Sequence, residues 1–506
     1  MVRTTSRLAG ALAGLAAATA AIGTAEVVAV FTGPRSAPLV AVGGVVVDTV
    51  PEPVKQFAIA VFGRYDKIAL LVGTAVLLAG FAALIGALAV RSFAAGAAGI
   101  ALFAAIGVGA ALSRPGAGPS AAIPAVVAAA VAASVLWVLT TDPGGRESDP
   151  AGRRRFLARV GVAIGIATVA GFGGRWWSTR RSVSAARSGL VLPAPASPAP
   201  PVPPGADLAL PRLAPYVTPN RHFYRIDTAL VVPQVDPADW TLRITGRVRN
   251  PITLTYADLL ARPMIERYVT LACVSNEVGG DLVGNARWLG VPLRNLLDEA
   301  GPLDGADQVV GRSADGWTCG TPTAVLRDGR DALLAVGMNG SPLPLEHGFP
   351  ARLVVPGLYG YVSACKWVVE LELSSFAEFD AYWVPRGWAA QAPIKTQSRV
   401  DTPRSRTRLA AGPVTVGGVA WAQHRGIERV EVRVDGGPWQ PATLARSVSI
   451  DTWVQWSWRW PAPAGEHTLQ VRATDATGAV QVERRSPVAP DGATGWHTVK
   501  VTVGEA

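Results

Sequence analysis

The sequence predicts three successive parts: an N-terminal α-helical membrane domain, a mixed α+β domain, and a C-terminal β-sandwich of immunoglobulin type. Three observations carry this. Ala, Val, Leu and Gly dominate residues 1–175, which raises the mean hydropathy of the 506-residue chain to +0.28. A proline-dense stretch follows, Leu190 to Pro215. Beyond it, strands and short helices alternate, until from about Ala411 to Val503 only short strands between turns remain. The parts expected are 1–175 for the membrane domain, 176–215 for a linker, 216–404 for the α+β domain and 405–506 for the sandwich.

Four segments reach the roughly 20 apolar residues that a bilayer requires. They are Leu8–Phe31 (interrupted by Glu26), Ile68–Val90, Ser92–Ser113 and Ala121–Thr141. A fifth, Val160–Gly174, is shorter and rich in glycine. Such a series, almost free of charge, argues for membrane spans over buried core helices. Arg3 and Arg7 precede the first span and put the N-terminus on the cytoplasmic side. Alternation then leaves Arg91 inside, Arg114 outside, the cluster from Arg146 to Arg159 inside, and everything after the fifth span outside. Arg175, Arg180, Arg181 and Arg187 run against that order, whereas Trp176 and Trp177 suit an interfacial anchor. The expected location is a bacterial cell membrane, multi-pass, with the second half extracytoplasmic. Gly152-Arg-Arg-Arg-Phe-Leu resembles the twin-arginine export consensus, and it equally suits a plain positive-inside anchor.

All five histidines lie outside the spans, so bis-histidine haem cannot be built there. No C-x-x-C-H and no cysteine cluster occurs, so neither a haem nor an iron–sulfur site is encoded. The spans carry too few ionisable residues for an ion path, which leaves an anchor or docking platform. The net charge of +10 comes from scattered arginines and excludes a nucleic-acid footprint. The prolines from Leu190 to Pro215 predict a semi-rigid spacer that lifts the next domain off the bilayer.

Within the α+β domain, Trp240-Thr-Leu-Arg-Ile-Thr-Gly alternates as a strand. Tyr256–Ala261 and Leu293–Ala300 read as short helices, Ala351–Pro356 and Trp367–Leu373 as apolar strands. In the sandwich, Val430-Glu-Val-Arg-Val and Thr468-Leu-Gln-Val-Arg-Ala lie between glycine turns. The segment Tyr268-Val-Thr-Leu-Ala-Cys-Val-Ser-Asn alternates as a strand that ends near Ser275. A cysteine at that end, Cys273, suits either a buried structural thiol or the single soft ligand of a transition metal. The three cysteines, Cys273, Cys319 and Cys365, form neither a disulfide framework nor a zinc motif.

Taken in order, several segments of the second half match one family. They are Thr218-Pro-Asn-Arg-His-Phe-Tyr, Cys273-Val-Ser-Asn, Ala286-Arg-Trp-Leu-Gly-Val-Pro-Leu, His347-Gly-Phe-Pro-Ala-Arg-Leu-Val-Val-Pro-Gly-Leu-Tyr-Gly, Lys366-Trp, and Gly426-Ile-Glu-Arg-Val-Glu-Val-Arg-Val-Asp-Gly-Gly-Pro-Trp. From about Pro211 to Val503 this order resembles the sulfite oxidase family of molybdopterin oxidoreductases. The resemblance implies a sulfite-oxidase-like molybdopterin domain, with molybdenum bound by the Cys273 thiolate and one molybdopterin. It places the cofactor against His222, Tyr224, Arg225, Ser313, His347, Arg352, Ser363 and Lys366. Ser313 also suits a plain turn, and Arg352 a surface ion pair. Tyr382, in Asp380-Ala-Tyr-Trp, falls at the family's active-site tyrosine or is an aromatic packing residue. Cys365 reads as part of the pocket wall, and Cys319 has no assigned role.

The chain departs from the family at two places. Sulfite oxidases follow the cysteine with Gly-Asn-Arg-Arg, and here Glu277 and Val278 stand for the two arginines. A carboxylate close to the metal would repel a sulfite dianion. The family's Arg-Asn-His is here Ile226-Asp227-Thr228. The expected activity is oxygen-atom transfer on a small substrate, with electrons passing to a separate membrane cytochrome or quinone-linked protein. Alternatives are a sulfoxide reductase resembling the periplasmic methionine sulfoxide reductase, and a non-enzymatic surface protein binding through its immunoglobulin-like module. The sandwich implies a homodimer, as in many family members. If the twin-arginine reading holds, replacing Arg153-Arg154 by Lys-Lys leaves the second half inside the cell. Unchanged accessibility to external protease contradicts it.

Overall fold

The computed structural model describes residues 7–33, 36–50, 54, 61, 66–114, 117–141, 150–180 and 183–504. Arg3, Arg146 and Arg181 lie outside them, and the side chains of Arg153, Arg175, Trp176, Trp177 and Arg180 are not described. The chain divides into two compact units, Met1–Ala185 with Thr228–Val232, and Ala186–Asp227 with Pro233–Ala506.

The first unit is helical. Among the described residues, four helical segments are long and apolar enough to cross a membrane: Arg7–Thr32, Val72–Ala89, Phe93–Leu112 and Pro119–Thr141. They coincide with the four long segments expected. The fifth stretch is built into a 31-residue helix, Pro150–Arg180, and a helix that the sequence reading missed, Pro38–Thr49, follows the first. Small residues let the first helix approach its neighbours closely. A Cβ added at Gly14 would stand 2.0 Å from the Ala82 carbonyl oxygen, and one at Gly86 would stand 2.1 Å from that of Gly10. Apolar side chains cover these contacts, including Leu136, Leu139 and Val160. The short Thr228–Val232 run also belongs here, with Leu230 against Gly43.

The second unit holds the α+β part and the sandwich, with one core that runs from the first into the second and another inside the sandwich. Its first sheet has the order Ile252–Thr255, Thr241–Gly246, Val368–Ser374, Gln308–Ser313, Thr318–Pro322. Only the pair Thr241–Gly246 and Val368–Ser374 runs parallel in it. A second sheet joins Ile265–Ala272, Val283–Pro292, Leu333–Met338 and Ser341–Pro342, with Arg352–Val354 also paired to Leu333–Met338. The two expected helices form at Tyr256–Leu260 and Leu293–Ala300. The first starts at a capping box made by Thr255 and Asp258. The second buries Leu293, Leu296, Leu297 and Ala300 on one face and stops at Gly301, whose φ is +65°.

The sandwich stacks a four-stranded sheet, containing Gln397–Thr402, Gly412–Trp421 and Val454–Ala462, on a five-stranded one, containing Ile427–Val434, Gly465–Asp475 and His497–Gly504. Its Val419, Trp421 and Trp453 belong to the same core as Trp240 and Leu353 of the α+β part. The two expected parts thus share a packed interface, while the sandwich keeps a further core of its own around Val416, Trp456 and Val471.

The proline-rich stretch, expected as a semi-rigid spacer, instead packs along the second unit. Ala196 donates to the Met264 carbonyl, Glu266 donates to that of Ser197, and Leu208 donates to Gln455. The residues between the prolines keep their N–H groups, and Leu190, Leu192 and Val202 pack on the core.

One buried node ties strand Ile265–Ala272 to the sandwich. The Thr270 N–H donates to the Asp451 carbonyl at 2.9 Å, and its own carbonyl accepts from Gln423 Nε2 at 2.8 Å. Its Oγ1 accepts from the Trp453 N–H at 2.8 Å and pairs with Asn285 Oδ1 at 3.1 Å. Thr270→Val removes the hydroxyl at constant shape and strands two buried polar partners. It should lower unfolding free energy by about 1–3 kcal/mol, read from the denaturation midpoint of the second unit in the full chain. An unchanged midpoint contradicts the assignment.

Candidate functional site

Cys273 stands one residue beyond strand Ile265–Ala272, where the chain leaves the sheet. Its N–H donates to the Leu282 carbonyl at 2.9 Å, which closes the following loop. The side chain is buried, and burial pushes the thiol above its usual range. The Ser275 N–H and hydroxyl, the Lys366 ammonium and the Val274 N–H act the other way and favour the thiolate.

Three cationic or basic groups are buried around this thiol. His347, on a single 3₁₀ turn, directs Nε2 to the Asn220 carbonyl at 3.1 Å. Its Nδ1 is buried without a hydrogen-bond partner. Burial, with Arg352 and Lys366 nearby, lowers its pKa to about 3, so the ring is neutral. Arg352 is 3 % exposed, donates to the His347 carbonyl at 3.0 Å and lies over the Trp288 ring at 5.1 Å. No carboxylate among the described residues pairs with it, and burial lowers its pKa to about 10. Lys366 donates to Asp227 Oδ2 at 3.1 Å and to the Glu346 carbonyl at 3.0 Å. Burial lowers its pKa to about 8 against the pull of Asp227. Gly348 lets these side chains converge: its φ is +109°, and a Cβ there would stand 3.0 Å from Arg352 and 3.1 Å from Lys366.

Tyr224 belongs to the same group. Cys273 and Arg352 face it, and burial holds its hydroxyl well above the usual tyrosine range, hence protonated. Arg225 is partly exposed and donates to Asp227 Oδ2 at 2.9 Å.

The other expected residues are placed differently. His222 is exposed and accepts from Arg221 at 3.3 Å; the backbone of its neighbour Asn220 is what reaches the site. Ser363 turns its hydroxyl back to the Tyr359 carbonyl at 2.9 Å, because its own 3₁₀ turn offers that acceptor first. Ser313 is buried and accepts from the Asp315 N–H at 3.3 Å within its turn. Tyr382 packs against Trp383 and beneath Arg386, and Trp383 in turn meets Trp388. None of these contacts reaches Cys273. Glu277 is exposed, so its charge is screened by water and the repulsion argued from sequence loses force. Cys319 and Cys365 are fully buried neighbours, both within 3.2 Å of where a Gly311 Cβ would stand.

Asp227 and Trp288 were not singled out as site residues. The ion pair of Asp227 with Lys366 spans 139 positions, which no local pattern reveals.

A buried arginine without a carboxylate, a lysine and an orphaned imidazole nitrogen beside a thiol fit an anionic, polar cofactor bound through one sulfur ligand. The donor set suits a phosphate and a pterin.

Comparison with known proteins agrees with this chemistry. Residues 229–383 match the family described as oxidoreductase molybdopterin binding domain, and residues 397–484 match the bacterial Ig domain. The mitochondrial sulfite oxidase of Homo sapiens is 30% identical over 342 residues, covering 57% of this chain and 62% of that protein. The chain thus spans less than two thirds of that relative's length. The sulfite oxidase of Gallus gallus is 30% identical over 324 residues, covering 54% of this chain and 70% of that protein. Among solved structures, the sulfane dehydrogenase SoxCD from Paracoccus pantotrophus superposes with a TM-score of 0.51 at 26% identity, covering 57% of this chain and 82% of that one.

The two depressed histidines predict a pH dependence. His347, at about 3, and the sandwich residue His497, at about 4, stay neutral when folded, whereas their unfolded values lie near 6.5. Between those limits the unfolded chain binds more protons. Stability is therefore complete above about pH 6.5 and falls as pH drops toward 4, by up to ~1.4 kcal/mol per pH unit for each group. Denaturant unfolding of the metal-free chain from pH 7 to 4.5 should show this slope, and His347→Gln should reduce it. A flat profile contradicts the burial of these rings.

Proposed function

The chain belongs to the sulfite oxidase family of molybdopterin oxidoreductases, and from that premise we propose that its second unit is a molybdopterin-dependent oxidoreductase acting on a small substrate. The observation that carries this reading is Arg352, buried with no carboxylate partner among the described residues, together with the buried Lys366 close to Cys273 and the unpartnered His347 Nδ1. Arg352, Lys366 and His347 Nδ1 would hold the phosphate and pterin, and Cys273 would supply the metal's protein ligand. When bound, the cofactor supplies a two-electron centre for oxygen-atom transfer.

The chain's own groups prepare the site. Lys366 and the Ser275 donors favour loss of the Cys273 proton. Asp227 keeps Lys366 charged at neutral pH and fixes its direction. Tyr224 retains its proton and offers a hydroxyl donor on the thiol side. Trp288 excludes water from beneath Arg352.

The helical unit is proposed as a membrane anchor, which its four apolar helical segments support by length and composition. On that reading the second unit lies outside the cytoplasm, and electrons leave to a separate membrane-bound partner. Lacking arginines at 277 and 278, the loop after Cys273 favours a substrate less charged than a sulfite dianion.

The test is metal content and turnover in the full-length protein, using sulfite, sulfoxides, N-oxides and nitrate with an artificial electron carrier. One molybdenum per chain is expected. Cys273→Ser should abolish turnover, and Arg352→Ala should weaken cofactor retention by about ten- to a hundredfold. A chain without stoichiometric molybdenum, or a serine variant with full turnover, overturns the reading.

A further inference from the structure

The loop that follows Cys273 is closed mainly by its own backbone. Asn276 N–H donates to the Cys273 carbonyl at 3.1 Å, Gly280 N–H to that of Glu277 at 2.8 Å, and Leu282 N–H to Asn276 Oδ1 at 2.8 Å. The sandwich supplies the outward hold. Arg399, on strand Gln397–Thr402, is 8 % exposed and donates from Nη1 to the Gly280 carbonyl at 2.6 Å. Its Nε donates to Asp401 Oδ1 at 2.5 Å, so the fork cannot swing away. Asp401 is fixed in turn, because its Oδ2 accepts from the Ala214 N–H at 3.0 Å. The proline-rich stretch thereby takes part in the hold.

His497 adds a steric wall. It accepts from the Val400 N–H through Nδ1 at 3.0 Å, which sets the ring direction. The ring then lies against Gly279, where a Cβ would stand 2.3 Å away and where φ is +82°. Only glycine allows this approach. Three residues before the thiol, Thr270 is held by Gln423, Asp451 and Trp453, also from the sandwich part. The chain is therefore gripped on both sides of Cys273 by one module.

We propose that Arg399 is a positioning residue for Cys273: it pins the Gly280 carbonyl and, with His497 behind Gly279, holds loop 276–281 so that the thiol is presented in one direction. The immunoglobulin-like sandwich is thus a working part of the site. This deepens the proposed function, since the thiol being positioned is the metal ligand of that reading.

The experiment uses the full-length, metal-free chain, so that the hold is read independently of cofactor chemistry. Backbone hydrogen exchange is followed across residues 274–282, and alkylation of Cys273 by iodoacetamide is followed by peptide mass. Arg399→Ala should speed loop exchange at least tenfold and Cys273 alkylation severalfold, while strand Gly465–Asp475 keeps its protection. Arg399→Lys retains one donor for Gly280 and should recover part of the loss. If the alanine variant does not fold, Asp401→Asn gives the same pattern more weakly. Unchanged loop exchange overturns the proposal, as does loosening spread evenly through the sandwich strands, or a lysine variant no tighter than alanine. Should the loop loosen as expected while Cys273→Ser keeps its molybdenum and turnover, the ligand reading fails and the hold remains.

Discussion

Buried positive charge that carboxylates meet only in part is the constraint on which the site of the second unit turns. Arg352 and Lys366 are almost wholly removed from water, and Asp227 is the carboxylate that meets one of them. Burying an ion carries a penalty of several kcal/mol even after relaxation. Here that penalty shows in the direction of each shift, with His347, Arg352 and Lys366 all displaced toward their neutral forms. An anion entering the pocket adds an attraction that opposes each of these displacements, although the groups stay buried. Binding and folding therefore stabilise each other, as in other proteins whose sites are costly when empty.

Such a pocket must be held by the rest of the fold, because like charges left free would separate. Two sheets and the core that reaches from them into the sandwich provide the frame. Arg352 begins a strand paired to Leu333–Met338, and Lys366 lies two residues before the strand Val368–Ser374. Trp367, between them, is buried and donates through its indole to the Leu345 carbonyl at 2.8 Å. Placing functional side chains at strand ends gives both reach and rigidity. The node at Thr270 extends the frame into the sandwich, so the strand carrying Cys273 is fixed from outside its own sheet.

What could be read from the sequence was whatever is local. Alternation located the strands around Thr241–Gly246, Ile265–Ala272 and Gly465–Asp475, and the helix Leu293–Ala300 was placed at its ends. The short His347-to-Arg352 spacing carried two site residues together. Long-range pairings were not legible: Asp227 with Lys366, Arg399 with Gly280, and the strap from Ala196 to Tyr216 packed on the unit it was expected to hold at a distance. Side-chain direction was equally hidden. His222 and Ser363 sit where the resemblance put them in the chain, yet one faces solvent and the other bonds its own turn. A pattern of residue types fixes position along the backbone and leaves the χ angles to tertiary packing.

The three cysteines show how environment separates residues that composition treats alike. All are buried, so burial alone raises each thiol's pKa. Cys365 has Cys319 as its nearest ionisable neighbour and Asp315 acting in the same direction, so it is held as a thiol. Cys273 instead meets the Ser275 N–H and hydroxyl, the Val274 N–H and the Lys366 ammonium. The same desolvation is therefore opposed at one site and reinforced at the other. A metal requires the thiolate, and Cys273 has several partners that stabilise the anion, whereas at Cys365 the single opposing influence of Arg352 is outweighed. Ser275, two residues on, acts most strongly of these, and Lys366, whose charge Asp227 supports, adds to it from across the domain.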